Sequence, residues 1–233
     1  VPFEGFKADF AWLDHENRFA RYAAGIGREN RRTIGVRVFG ASDGWDADGQ
    51  VSYQYGSFAV PAHPALTISA WGAAFEGGRT FLLPWSPRFA MRLDAAGGDG
   101  RVGDHVLGTF DLPYPNLSYL TDAAIFAPRN VHDIQPFVAV APFADLMLTA
   151  GTQFLWRNST QDAVYSPVNL PVIGPGGRQT YVATEPYLRV DWRVNPLAEW
   201  QLGVIEAVPG AALRDAGGRK TLSFVFSSIA LRV

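Results

Sequence analysis

The chain has 233 residues, 48% hydrophobic and 18% charged, with a formal charge of −2 and no cysteine. Without cysteine there is no disulfide scaffold, cysteine zinc site or thiol nucleophile, and a near-zero net charge gives no field aimed at nucleic acid. The charged fraction is low beside the ~25% of soluble domains, yet no run of about 18 apolar residues offers a transmembrane helix.

Alternation with a period of two recurs about ten times along the chain. Phe6, Ala8, Phe10 and Trp12 alternate with Lys7 and Asp9. Ile34, Val36 and Val38 alternate with Thr33, Gly35 and Arg37. The clearest case sets Trp45, Ala47, Val51, Tyr53 and Tyr55 against Asp46, Asp48, Gln50, Ser52 and Gln54. Phe89, Met91 and Leu93 then oppose Arg88, Arg92 and Asp94. Leu146, Leu148, Phe154 and Trp156 oppose Asp145, Thr149, Gln153 and Arg157. Leu188, Val190, Trp192 and Val194 oppose Glu185, Arg189, Asp191 and Arg193. Trp200, Leu202 and Val204 oppose Glu199 and Gln201, and a last strand sets Val225, Ile229, Leu231 and Val233 against Ser228 and Arg232. A strand points successive side chains to opposite sides, so each segment has one apolar and one polar face. Two stretches, 65–75 and 132–140, are apolar on both faces and take no orientation from the pattern.

The connections are unequal. Short turns are expected at Ser42-Asp43-Gly44, Pro84 to Pro87, Pro142-Phe143 and Asn195-Pro196. Long Gly- or Pro-rich loops are expected at 15–30, 56–64, 95–130, 158–179 and 206–220. Tight turns at one end and long loops at the other are the habit of transmembrane β-barrels. The expected fold is all-β, an antiparallel transmembrane β-barrel with about ten strands in this chain.

A soluble lipocalin-like barrel would turn the apolar face inward; an outer-membrane barrel turns it to lipid and lines its lumen with the polar face. Aromatics toward strand ends (Trp12, Trp45, Trp156, Trp200) suit interfacial girdles. Slipping the strands by one residue would put Arg37, Arg88, Arg92, Arg189 and Arg193 into lipid. At roughly 2–4 kcal/mol per Arg at midplane and about 0–1 near the interfaces, that totals on the order of 5–20 kcal/mol. These arginines are therefore expected to face the lumen.

Motifs with chemical meaning are few. Gly40-Ala41-Ser42-Asp43-Gly44 matches the nucleophile elbow, but a strand follows where a helix is required, so a turn explains it better. The histidines, His15, His63, His105 and His132, lack metal-ligand spacing, and Asp46 and Asp48 lack the rest of a calcium loop. Gly174 to Arg178 lacks the Lys-Ser/Thr of a phosphate loop. No catalytic residue, metal or cofactor is expected. A barrel-type lipid hydrolase stays open as an alternative, although only His132 is expected on a strand.

The remaining candidates are arginines, of which there are 18 against 2 lysines. They could be structural partners of lumen acids. They could also raise the local concentration of an anionic solute. The expected path-lining set is Arg37, Asp46, Arg88, Arg92, Arg157, Glu185, Arg189, Asp191, Arg193 and Arg232.

Several segments together resemble the alginate-export family of outer-membrane porins. They are Arg31 to Gly40, Gly44-Trp45-Asp46-Ala47-Asp48, Tyr53-Gln54-Tyr55-Gly56 and Leu107 to Asp111 followed by Leu112-Pro113-Tyr114-Pro115. Asn130, Phe154 to Arg157, and Tyr181 with Glu185 continue the match, which runs from about Phe6 to Val233. The resemblance implies a monomeric barrel of about 18 strands with a polar channel. On that basis residues 1–233 form a single barrel domain, the C-terminal portion of a larger barrel. The chain opens on Val1 without a signal-like segment, which reads as a mature product or a fragment. The resemblance also implies a bacterial outer-membrane location, contact with outer-membrane lipid and the barrel assembly machinery, and passage of an anionic polysaccharide or a smaller anionic solute. A porin for other small solutes is the nearest alternative.

Overall fold

The structure is a computed structural model that describes residues 5–101, 103–112 and 118–231. Arg232, Val233 and the Pro113 to Pro115 motif lie outside the described residues. The strands are β1 (Phe6–Tyr22), β2 (Gly25–Ser42), β3 (Trp45–Ala59), β4 (Leu66–Thr80), β5 (Arg88–Ala96), β6 (Val106–Leu107), β7 (Val131–Phe143) and β8 (Leu146–Arg157). They continue with β9 (Val164–Tyr165), β10 (Pro171–Ile173), β11 (Tyr181–Asn195) and β12 (Ala198–Pro209), then a short helix α1 (Ala211–Asp215) and β13 (Leu222–Leu231).

Ten long strands form one antiparallel sheet in the order β1-β2-β3-β4-β5-β7-β8-β11-β12-β13. The short β6 pairs in parallel with β4, and β9 with β10 makes a small separate hairpin. β1 and β13 are the sheet's two edges, so the described sheet is a partial barrel. The expected strand number, ten, is met.

Loop positions decide which face is inside. The segments at 106–112 and 118–130 pack against the polar face of the sheet, where Leu107 and Phe110 join buried clusters with Ile68, Phe58, Ala70 and Ala96. Leu120, Phe126, Val164, Ile173 and Ala212 pack on Val131, Leu155, Val182 and Ala183 at the same end. The core therefore sits inside the long-loop end, built from loops rather than from facing sheets. The apolar face is left outward: Phe10 is 73% exposed, Val51 60%, Leu188 63% and Ile229 68%. In water so much contiguous apolar surface would be an association site; in lipid it is the expected boundary.

That apolar band has aromatic limits. At its upper edge Trp12, Ile34, Tyr53 and Trp71 are cross-strand partners in one row. At its lower edge Trp192 and Trp200 meet edge to face at 6.1 Å, and Arg79 covers the rings of Trp45 and Phe81. Trp45 and Tyr53 are eight residues apart on β3. At ~3.4 Å per residue that is about 27 Å along the strand, or about 20 Å for a tilt of ~40°, comparable to the apolar band of ~25 Å in such barrels. The two unoriented stretches also resolve: Trp71, Phe75 and Ile134 face out, whereas Ile68, Ala70, Asp133 and Gln135 are buried inside.

Three loop expectations are corrected. Residues 15–30 are not a loop; β1 and β2 continue to a two-residue turn at Ala23-Ala24. Above the apolar band the ladder is held by outward polar pairs, Arg32 with Asp14 at 3.3 Å and Arg28 with Glu16 at 2.9 Å. Hydrophobic alternation stops there, but the hydrogen-bond ladder does not. β3 likewise runs on to Ala59 and β12 to Pro209. The β7–β8 turn falls at Ala144-Asp145, one pair later than expected. The Ser42-Asp43-Gly44 turn is as expected, with Asp43 at φ 52° and Gly44 at φ 79°, the left-handed pair of a tight hairpin.

Candidate functional site

The inner face carries interleaved arginines and carboxylates. Arg37 on β2 reaches Asp48 on β3, with Nε to Oδ1 at 2.8 Å. Arg88 on β5 donates from Nε to Asp46 Oδ2 at 2.9 Å and from Nη2 to Glu76 Oε1 at 3.1 Å. Arg92 Nε lies 2.7 Å from Asp94 Oδ2. Arg189 on β11 binds Asp191 with Nε and Nη2 and donates from Nη1 to Asp122 Oδ2 at 3.1 Å. Gln201 adds a donor to Asp191 at 2.9 Å.

The structure thus brings together Asp46 with Arg88, and Arg189 with Asp191, from the expected set. Arg37 and Arg92 are on the inner wall but answer to Asp48 and Asp94. Arg193 pairs in register with Glu199 toward the turn end. Arg157 has a different role: its Nε donates to Gln179 O at 2.8 Å and its Nη2 to Gly176 O at 2.7 Å, so it fastens the loop after β8. Glu185 is fully buried, beneath a loop residue. Arg232 lies outside the described residues. An arginine held at contact distance by a carboxylate projects a dipolar field that fades quickly, so these pairs do not act as an unopposed positive ring.

The loop between β6 and β7 enters this face and is stitched across it. Tyr119 Oη donates to Asp94 Oδ1 at 2.8 Å, and Arg92 lies over the Tyr119 ring at 4.5 Å. Leu120 O accepts from Gln135 Nε2 at 3.1 Å. Thr121 Oγ1 donates to Glu185 Oε2 at 2.6 Å, and Asp122 holds Arg189. Burial, together with Asp94 beside it, raises the Tyr119 phenol well above its ordinary value, so it stays a donor. Residues 118–122 therefore form a strap over the inner wall at the level of β5, β7 and β11.

A second network ties the loop to β1–β3. Arg31 is buried and donates to Glu29 Oε1 at 3.1 Å, Gln54 Oε1 at 2.6 Å, Thr109 O at 3.1 Å and the Tyr22 hydroxyl at 3.0 Å. Asp111 accepts from Arg129 and returns its N–H to Gln54 Oε1 at 2.9 Å. Asp162 gathers Thr109 Oγ1 at 2.6 Å, Tyr165 Oη at 2.6 Å and Asp99 N at 2.9 Å. Burial, with Asp162 and Asp104 nearby, pushes the Asp99 carboxyl up to about 6. Sequence reading nominated none of Glu29, Gln54, Glu76, Asp111, Asp122, Arg129 or Tyr119 as site residues. Their partners lie 2 to 89 positions away, and inward spacing on strands was the only signal available for those on the wall.

The model for the family described as alginate export matches residues 4–226. The chain belongs to the alginate export family. Membership and the partial barrel make it an outer-membrane channel protein, as expected from the motifs. None of the curated proteins matches the chain. Among solved structures the chain is similar to a NanC porin in a rhombohedral crystal form, at 10% identity and TM-score 0.45, covering 98% of each chain. Among the described residues no group of three His, Cys, Asp or Glu side chains could hold a metal ion. His132 stacks on Trp156 and has Asn158 Oδ1 2.7 Å from its Nδ1.

Proposed function

We propose that this protein passes an anionic solute, an acidic polysaccharide such as alginate, through its lumen without a chemical step. The ten described strands are a portion of a larger barrel in this reading, and the strap at 118–122 narrows the path. The observation that carries the proposal is the set of Arg–carboxylate pairs on the inner face, at Arg37, Arg88 and Arg189, the last tied to the strap through Asp122. A polyuronate presents a carboxylate on each sugar, and such a group can exchange with Asp or Glu at a guanidinium with little loss of pairing. Recognition then comes from contact, and the long-range field adds little.

The test is block of single-channel current by polyuronate and by a neutral polysaccharide of equal length. Arg37→Gln and Arg193→Gln should weaken the polyuronate block and leave the neutral polymer unaffected. Equal block by both polymers in the unaltered protein would replace the anionic reading with a general porin.

A further inference from the structure

We infer that Tyr187 is a stacking platform for one pyranose ring of the passing polysaccharide, seated under the strap. The inference rests on the channel reading above and names a subsite within it.

Tyr187 on β11 faces inward, half-buried, and pairs in register with Gly151 on β8 and Ile205 on β12. Gly151 in turn pairs with Phe137 on β7, and Ile205 with Phe224 on β13. One row across the inner wall therefore reads Phe224, Ile205, Tyr187, Gly151, Phe137. Gly151 is what lets the tyrosine lie down. A Cβ added there would stand 2.6 Å from the Tyr187 hydroxyl oxygen and 2.7 Å from its Cζ. The phenol end thus rests against bare backbone.

A cavity of about 340 Å³ adjoins that ring, roofed by Tyr119 to Asp122 and walled by Arg92, Gln135, Thr149, Arg189 and Asp191. Its volume lies within the ~300–1,000 Å³ of ligand sites. An amphipathic ring suits this mixture: a sugar offers a C–H face to an aromatic ring and hydroxyls at its edge. Asp122, Asp191, Gln135 and Thr149 can meet hydroxyls, and Arg189 can meet a carboxylate.

The plainer explanation is that Tyr187 merely covers a strand glycine. Phe226 does that over Gly203, where an added Cβ would lie 2.2 Å from its ring, and Phe226 does not line the cavity. It is the control.

Residence times of oligouronate block events on the full chain in a planar bilayer test the idea. Tyr187→Leu should shorten residence about tenfold, the kinetic equivalent of roughly 1.4 kcal/mol. Tyr187→Phe should stay within about twofold, as should Phe226→Leu, and block by polyglutamate, equally charged but without sugar rings, should ignore Tyr187→Leu. Unchanged oligouronate residence in an inserted Tyr187→Leu channel overturns the platform while leaving the channel reading intact. An equal loss in Phe226→Leu reduces Tyr187 to glycine cover. No oligouronate block in the unaltered protein overturns the channel reading itself, and the platform with it.

Discussion

Thr121 donates its hydroxyl to Glu185 Oε2 at 2.6 Å, and this bond, with the Asp122–Arg189 pair, holds the strap to β11. Glu185 Oε1 has no hydrogen-bond partner, and neither does Oε1 of Gln153, its cross-strand neighbour. Gln153 Nε2 is already given to Asp133 Oδ2 at 2.6 Å. The pair lacks one donor. Glu185→Gln supplies it while keeping an acceptor for Thr121, so conductance and folded stability should be retained or improved. Glu185→Ala removes the Thr121 acceptor and should raise open-channel noise and conductance as the strap loosens. If the Ala variant conducts as quietly as the Gln variant, the Thr121 bond does not hold the strap.

Arg31 has four partners, and no water-facing position to retreat to. Arg31→Met takes the charge partner from Glu29 and the guanidinium donor from Thr109 O, and leaves Gln54 Oε1 with the Asp111 N–H alone. Removing one member of a buried pair is destabilising by about 3–5 kcal/mol. The variant should unfold at a clearly lower urea midpoint in detergent micelles. The double change Arg31→Met with Glu29→Leu should recover much of the loss, because no charge is then left buried without its pair.

Asp99 gives the long loop a pH dependence. Its folded pKa, about 6, is raised above the ordinary carboxylate value chiefly by burial. The folded loop therefore binds the proton more tightly than the unfolded chain. Its stabilising contribution is complete below about pH 4 and is lost as pH rises through about 6. Hydrogen exchange of residues 97–112 should be faster at pH 7.5 than at pH 5 after correction for intrinsic rates. Asp99→Asn should flatten that difference, and an undiminished pH effect in the variant would assign it elsewhere.

Val51 stands on the lipid side, flanked in register by Val36 and Ala73. Val51→Arg should be destabilising by about 2–4 kcal/mol if that level is near the bilayer midplane. The inward neighbour Gln50→Arg should be tolerated within about 1 kcal/mol, since it enters a wet face. Urea titrations in lipid vesicles distinguish them, and equal tolerance of both would place the apolar face away from lipid.

The strands were legible because a wet inner face and a lipid-facing outer face impose alternation residue by residue, as at Trp45 to Tyr55. The signal failed at 15–30, where both faces leave the membrane and polar pairs such as Arg28–Glu16 continue the ladder. The inward placement of Arg37, Arg88, Arg92 and Arg189 also follows from alternation. Their partners on the long loop do not. Asp122 lies 67 positions before Arg189 and comes to it only because the loop turns back inside the barrel. Arg157 shows the same limit: spacing places it inward, but loop carbonyls claim it. Tyr187 carries no sequence signal beyond its inward parity, because its role depends on a glycine one strand away.

Single-channel recording of the unaltered full chain in a planar bilayer, with alginate oligomers added in steps, tests the central claim most directly. The account predicts discrete conductance, weak preference between potassium and chloride, and block that grows with oligomer concentration. Correctly inserted protein that carries no current, or current indifferent to the oligomers at every concentration, would contradict it.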